Sequence, residues 1–426
     1  MNRESPQTLQ QWLDYIERLH PKTIALGLDR VQKVRQALGL IPAFPVITVG
    51  GTNGKGSVCA MLEAVLDSAG YRVGCYTSPH LLRYNERVRI ARAEAADADL
   101  VRAFSAVESA RGDVSLTYFE MGTLAAMWLF AESRVDAAVL EVGLGGRLDA
   151  VNVFDADCAV VTVVDIDHVD FLGKDREAIG YEKAGIFRGG RPAVCADPAP
   201  PASLLRHAEV TGAQLLRIGA DFGVTVQDRQ WQYWGPRGKR NALPHPALRG
   251  IPQLGNAAAA ITALECLRDR LPVTMNDIRA GLLQADLPGR FQVLPGRPAV
   301  ILDVAHNPQA ARALAASLKS MGGAGRTYAV FAMLHDKDIA GVISALQSSV
   351  AHWFIAALGG PRGAGMAELG QALAAAGIDA VTPCGDVAAA YSQACDMATE
   401  NDRILAFGSF YTVAAVMQAR AARRAG

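Results

Sequence analysis

Short apolar runs alternate with longer stretches of helical periodicity along most of the chain. Residues 46–49, 73–76, 137–140, 159–164 and 193–195 read as strands, with helical segments between most of them. This alternation predicts an α/β domain built on a doubly wound, mainly parallel sheet. Near the start, Trp12, Tyr15, Ile16 and Leu19 recur at helical spacing, a stripe suited to core packing. Residues 221–245 break the pattern. Trp231, Tyr233 and a Pro-Arg-Gly turn predict a short antiparallel excursion, and a new helix begins near Asn256. Two Pro/Gly/Arg clusters, Pro288-Gly289-Arg290 and Pro295-Gly296-Arg297-Pro298, bracket a linker. Strand-like runs then return at 300–303, 328–333, 353–356 and 404–407. The pattern therefore predicts a larger domain over 1–293 and a smaller Rossmann-like α/β domain over 294–426.

A chain of 426 residues is too long for one compact core, which agrees with that division. Half of the residues are hydrophobic, and 42 basic residues balance 42 acidic ones. Zero net charge gives no reason to expect a nucleic-acid partner. The seven cysteines lack C-x-x-C spacing and read as reduced thiols of a cytoplasmic protein. No signal pattern opens the chain and no apolar run reaches membrane-spanning length, so no membrane partner is expected.

The densest chemical signal is the loop after the first strand, Gly50-Gly51-Thr52-Asn53-Gly54-Lys55-Gly56-Ser57. Strand, glycine-rich loop and helix N-terminus together form a cradle for phosphate, with amides and the helix dipole facing the anion. Lys55 adds a mobile positive charge. The spacing departs from the common P-loop, because only three residues separate Gly50 from Gly54 and Gly56 precedes Ser57. An ordinary glycine-rich turn is the alternative, and the flanking strand and helix weigh against it. A second strand ends in Glu141 and a Gly143-Leu144-Gly145-Gly146 loop, where open α/β sheets present ligand groups. That position suits a carboxylate holding Mg²⁺ beside phosphates. Asp165, Asp167, His168 and Asp170 follow another strand and are expected to converge, with His168 open to either a ligand role or ordinary hydrogen bonding. Ser78, in Thr77-Ser78-Pro79-His80-Leu81, offers a hydroxyl ligand or simply forms a Ser-Pro turn.

Taken in order, these strings resemble the Mur ligase superfamily, and within it the bacterial bifunctional dihydrofolate synthase/folylpolyglutamate synthases. Further matches are Leu116-Thr117-Tyr118-Phe119-Glu120, Arg147-Leu148-Asp149-Ala150, Glu182-Lys183-Ala184-Gly185-Ile186, Pro288-Gly289-Arg290-Phe291, Asp303-Val304-Ala305-His306-Asn307-Pro308 and Gly408-Ser409-Phe410. The resemblance implies that Thr52, Asn53, Gly54, Lys55, Gly56 and Ser57 hold ATP phosphates, with Asn256, Arg290 and Asp303 as further ATP contacts. It assigns Ser78, Glu141 and His168 to Mg²⁺, expected as two ions, and leaves room for a monovalent cation. Lys183 matches a lysine that the family carries as a carbamate. An ammonium beside Mg²⁺ would be repelled, whereas a carbamate is an anion; the bland alternative is a surface Lys183–Glu182 pair. Thr117, Tyr118, Phe119, Glu120, Leu148 and Asp149 match the pteroate surface, as does Thr23-Ile24-Ala25-Leu26, although relatives often carry Asp where this chain has Ala25. His306 and Ser409 match positions associated with glutamate.

The implied activity is ATP-dependent ligation of L-glutamate to dihydropteroate and to reduced folates through an acyl phosphate, in folate biosynthesis and one-carbon metabolism, by a monomer whose domains close over the intermediate. A monofunctional folylpolyglutamate synthase shares nearly all of these strings. A muramyl-peptide ligase shares the chemistry but fits the 116–120 and 303–308 strings less well. A nucleotide switch would carry a guanine-reading Asn-Lys-x-Asp string, which the chain lacks.

Overall fold

The computed structural model describes residues 6–22, 24–227, 230–322 and 325–425. The chain forms two units: Met1–Ala247 with Leu254–Asp286, and Leu248–Gln253 with Leu287–Gly426. In the first, eight strands form one sheet: β1 (Val46–Gly50), β2 (Val73–Tyr76), β3 (Val88–Ile90), β4 (Ala93–Glu94), β5 (Ala137–Glu141), β6 (Cys158–Val161), β7 (Pro192–Cys195) and β8 (Gln214–Arg217). Their spatial order is β4-β3-β2-β5-β1-β6-β7-β8, parallel except for β3 and β4. β1 and β5 are buried at every position, which is why both read as unbroken apolar runs.

Register places the chemistry. Val49 lies opposite Glu141, and Gly50 opposite Val161. The carboxyl ends of β5, β1 and β6 are therefore neighbours, so three loops distant in sequence meet at one edge. The run 159–164 stays in the ladder only to Val161. The Thr162 hydroxyl donates to the carbonyls of Gly50 (3.2 Å) and Asn53 (2.7 Å), which turns the backbone onto the glycine-rich loop.

The N-terminal stripe is core. Trp12 and Ile16 are buried, Trp12 stacks on Phe104 at 6.0 Å, and the Tyr15 hydroxyl reaches Glu108 at 2.8 Å. The excursion is a three-stranded antiparallel sheet of β9 (Gly223–Val226), β10 (Trp231–Gly235) and β11 (Gly238–Leu243). Its Trp231 and Tyr233 are buried, and Tyr233 donates to Glu265 at 2.9 Å on the helix Gln253–Cys266.

The second unit has a six-stranded sheet of β12 (Gln292–Leu294), β13 (Ala299–Leu302), β14 (Thr327–Phe331), β15 (His352–Ile355), β16 (Val381–Pro383) and β17 (Arg403–Phe407). The order is β12-β13-β17-β14-β15-β16, with only β12 antiparallel. Phe331, Trp353 and Phe407 pack edge and face at 4.9–5.9 Å in its core. No helix among the described residues is long and apolar enough to cross a membrane.

Candidate active site

The glycine-rich loop after β1 is shaped by close approach. Gly51 and Gly54 sit at φ of 138° and 91°, a region L-residues rarely adopt. A methyl group on Gly51 would lie 1.8 Å from Thr162 Oγ1, and one on Gly54 would lie 2.7 Å from Asn256 Oδ1. The end of β6 and the helix Gln253–Cys266 thus press on the loop from outside its own string. Thr52 is tied down by its amide to Val163 O (2.6 Å) and by its hydroxyl, which donates to Asp165 O and accepts from the Asp165 amide, both at 3.0 Å. Gly54 caps the helix Lys55–Ser68, whose first turn buries Gly56 and Ser57. The Lys55 ammonium rests on the carbonyls of Gly51 (3.1 Å) and Thr52 (3.3 Å). Neutral carbonyls bind a cation more weakly than phosphate oxygens do, so an arriving polyphosphate can recruit it.

Beside this cradle, Glu141 is buried at the end of β5 and accepts the Ser78 amide at 3.0 Å from the loop after β2. His168 stands after β6 at φ 52°, with its amide on Asp167 Oδ1 at 2.8 Å and Nε2 3.9 Å from Asp167 Oδ2. The expected convergence of Asp165, Asp167, His168 and Asp170 is corrected by the structure. Among the described residues, no three His, Cys, Asp or Glu side chains gather into a cation cage. The Asp165 carboxylate takes the Ile166 amide at 2.8 Å, and Asp170 is exposed on the helix Val169–Leu172. Nearness in sequence across a bend does not aim side chains at one point. The buried Glu141 carboxylate still suits a hard divalent ion that keeps water and phosphate oxygens among its other ligands. Nearby Cys59 and Cys75 do not compete. Burial pushes both thiols well above their ordinary range, so they stay neutral.

Lys183 is buried on the helix Arg176–Ala184. Burial, reinforced by the Lys55 charge, pulls its amine down to about 7, against the attraction of Asp167 and Asp149. Asp149 moves the other way. Burial pushes its carboxyl up to about 7, opposed by amide hydrogen bonds from Leu144 (2.8 Å) and Val151 (3.0 Å) and by Lys55. Lys55, Asp149, Asp167 and Lys183 thus feel one another across the three loops. The bland Lys183–Glu182 surface pair is absent, since Glu182 binds Arg147 at 2.8 Å.

The segments 24–27, 117–120 and 148–149 meet. Thr117 and Glu120 form a capping box on the helix Tyr118–Glu132. Glu120 also pairs with Arg30 at 2.9 Å, and Arg30 donates to Ala25 O at 2.7 Å. Position 25 is therefore held through its backbone, whatever side chain it carries. The Gly27 amide reaches Leu148 O at 3.3 Å. The Phe119 ring covers Gly143, whose missing Cβ would lie 2.7 Å away, and the Tyr118 ring carries the Arg87 guanidinium at 5.4 Å. Thr23 lies outside the described residues. Arg30 and Arg87 are contributors that no motif marked. Arg147 stood in a matched string without a role of its own, and Thr162, at a strand's carboxyl end, carried a positional signal.

In the second unit, Asp303 accepts the amides of Phe291 and Ala305, both at 2.8 Å. Burial pushes its carboxyl up, opposed first by Arg290. Arg290 lies 5.0 Å over the Phe410 ring, and the His306 ring lies 6.3 Å from the same ring. Arg290, Asp303 and His306 therefore share one cluster. Ser409 is different. It is buried, and its oxygen accepts the Thr412 amide at 3.0 Å, so its hydroxyl serves the start of the helix Phe410–Ala425.

Residues 49–263 match the Mur ligase middle domain, and residues 289–410 match the Mur ligase glutamate ligase domain. The chain is 48% identical over its full length to the dihydrofolate synthase/folylpolyglutamate synthase of Escherichia coli strain K12, covering 99% of that protein. It is similar to the solved structure of E. coli FolC in complex with DHPP and ADP, at a TM-score of 0.93 and 49% identity, over 99% of this chain and 100% of that one. A bifunctional folylpolyglutamate synthase/dihydrofolate synthase structure with Mn, AMPPNP and L-glutamate bound matches at a TM-score of 0.91 and 45% identity, over 99% and 100% of the two chains.

Proposed function

The chain belongs to the Mur ligase family, among its dihydrofolate synthase/folylpolyglutamate synthases, and from that premise we propose that it joins L-glutamate to dihydropteroate and to reduced folates, driven by ATP. The observation that carries this reading is the meeting, at the carboxyl ends of β5, β1 and β6, of the glycine cradle, Lys55, buried Glu141 and the mutually coupled Asp149 and Lys183. The ends of the segments 117–120 and 148–149 adjoin the same loops.

A carboxylate held on the Tyr118–Phe119 surface attacks the γ-phosphorus of ATP, forming an acyl phosphate and releasing ADP. The glutamate amine then attacks the acyl carbon. Phosphate departs, the amine gives up a proton, and an amide remains. Lys55 moves from its loop carbonyls onto the transferring phosphoryl group and offsets its charge. Mg²⁺, as a pair of ions, is the metal we assign; Ser78, Glu141 and His168 would hold it, and it supplies charge neutralisation on the phosphates. Lys183, held near 7, has a substantial neutral fraction at physiological pH, and the neutral amine is the form that adds CO₂ to become a carbamate. Asn256 with Arg290 and Asp303 serve the nucleotide, and His306 the glutamate. Ser409 acts there by holding its helix start. The enzyme works as a cytoplasmic monomer.

The test is oxygen transfer. With ¹⁸O in the substrate carboxylate, one labelled oxygen should appear in the released phosphate. Unlabelled phosphate alongside normal amide yield would rule out the acyl phosphate.

A further inference from the structure

Behind the metal-side loop lies a buried ion pair with no part in the reaction above. Glu63 sits on the helix Lys55–Ser68 that begins with the phosphate lysine, and Arg89 sits on β3. Their side chains are 6% and 16% exposed. Arg89 Nε lies 3.1 and 3.0 Å from the two Glu63 oxygens, and Nη2 lies 2.8 Å from one of them. Nη2 also reaches Cys75 Sγ at 3.3 Å, while Nη1 donates to Thr77 Oγ1 (3.3 Å) and to Glu86 O (3.0 Å). Every arm of the guanidinium is engaged.

The recipients give the pair its meaning. Thr77 opens the loop between β2 and β3, and its neighbour Ser78 places its amide on Glu141 at 3.0 Å. Glu86 closes the same loop, and its carboxylate takes the amides of Leu81, Leu82 and Arg83, each at 2.7 Å. One guanidinium therefore clamps both ends of the loop and ties them to the helix that carries Lys55. A buried ion pair is a poor stability device, because desolvating both partners offsets most of their attraction. Here its geometry instead locks a backbone position against Glu141.

We propose that Glu63 and Arg89 are a positioning pair that sets the Ser78–Glu141 geometry relative to the phosphate helix, and so the affinity for the divalent ion. This rests on the reading of Glu141 and Ser78 as metal-side residues. Neither Glu63 nor Arg89 touches substrate. Lysine cannot replace the forked donor, so Arg89→Lys keeps the charge and loses the clamp. Substituting partners that orient metal ligands typically weakens metal affinity about 10–100-fold.

Three variants of the full chain decide the matter: Arg89→Lys, the apolar pair Glu63→Met with Arg89→Met, and Glu141→Gln. The readouts are Mn²⁺ binding followed by electron paramagnetic resonance with ADP present, the Mg²⁺ concentration for half-maximal turnover, and thermal unfolding. The expected result is a metal affinity weakened about tenfold or more in Arg89→Lys and in the double variant, although the double variant unfolds near the wild-type temperature because its core is apolar. Wild-type metal affinity in a folded Arg89→Lys or double variant, with Glu141→Gln weakened, would overturn the positioning role. Wild-type affinity in Glu141→Gln as well would instead overturn the metal site on which it rests.

Discussion

Replacing Lys183 by Met should make the protein more stable and inactive, and the gain should depend on pH. The amine of Lys183 is held down at about 7 from an ordinary 10.5, chiefly by burial and next by the Lys55 charge. At roughly 1.4 kcal/mol per pH unit, that depression costs folding on the order of 4–5 kcal/mol at and below neutrality. The unfolded chain binds the extra proton between pH 7 and 10.5, so wild-type stability rises with pH across that window. The neutral methionine pays nothing of the kind and fills a similar volume. The stability gap in favour of Lys183→Met should therefore be largest at and below pH 7. It should shrink to on the order of 2 kcal/mol at pH 9, and close above about 10.5. Chemical denaturation of both proteins in CO₂-free buffers at several pH values measures this directly. Adding bicarbonate should stabilise the wild type alone, because a carbamate replaces the repelled cation with an anion beside Lys55. A gap that stays constant with pH would refute the electrostatic account of Lys183, and so would bicarbonate stabilisation of the variant.

Gly54→Ala forces a methyl group to 2.7 Å from Asn256 Oδ1 at φ 91°, a strain of roughly 1–2 kcal/mol before any shift of Asn256. The ATP KM should rise at least tenfold in a folded protein, and an unchanged KM would show that the loop is not the cradle. Glu141→Gln should raise the Mg²⁺ needed for half-maximal turnover while leaving the fold intact, since the amide lacks the charge a hard cation prefers; an unaltered metal requirement would make Glu141 structural. His306→Ala should raise the KM for glutamate more than that for ATP, and Asp303→Asn should do the reverse. Steady-state kinetics with each substrate varied separately would contradict this if both variants shifted the same KM.

The local strings were legible because their chemistry is local. A strand, a glycine loop and Lys55 stand within a dozen residues of one another. The residue 159–164 run and the Trp12 stripe announced a strand and a core face, and both are present. What was hidden came from elsewhere in the chain. Nothing near Gly51 or Gly54 predicts that Thr162 and Asn256 lean on them, because the contact follows from β6 lying beside β1 and from the helix Gln253–Cys266 reaching the loop. Glu63 and Arg89 are 26 positions apart and carry no motif, so only the antiparallel pairing of β2 with β3 reveals their clamp. Asp165 to Asp170 misled in the opposite way: adjacency suggested a cluster, and a bend with a left-handed His168 dispersed it. Ser409 lies in a ligand-like string, and only the structure shows that its oxygen also accepts the Thr412 amide at the start of the last helix.

One site should ligate glutamate to both a pteroate and a folate. Purified protein incubated with ATP, Mg²⁺ and L-glutamate should convert dihydropteroate to dihydrofolate in one reaction and extend a reduced folate by glutamate in another, each releasing one ADP per amide. Lys55→Ala should abolish both together. Product from the reduced folate alone would confine the enzyme to folylpolyglutamate synthesis, and ATP turnover independent of glutamate with neither product would contradict the account outright.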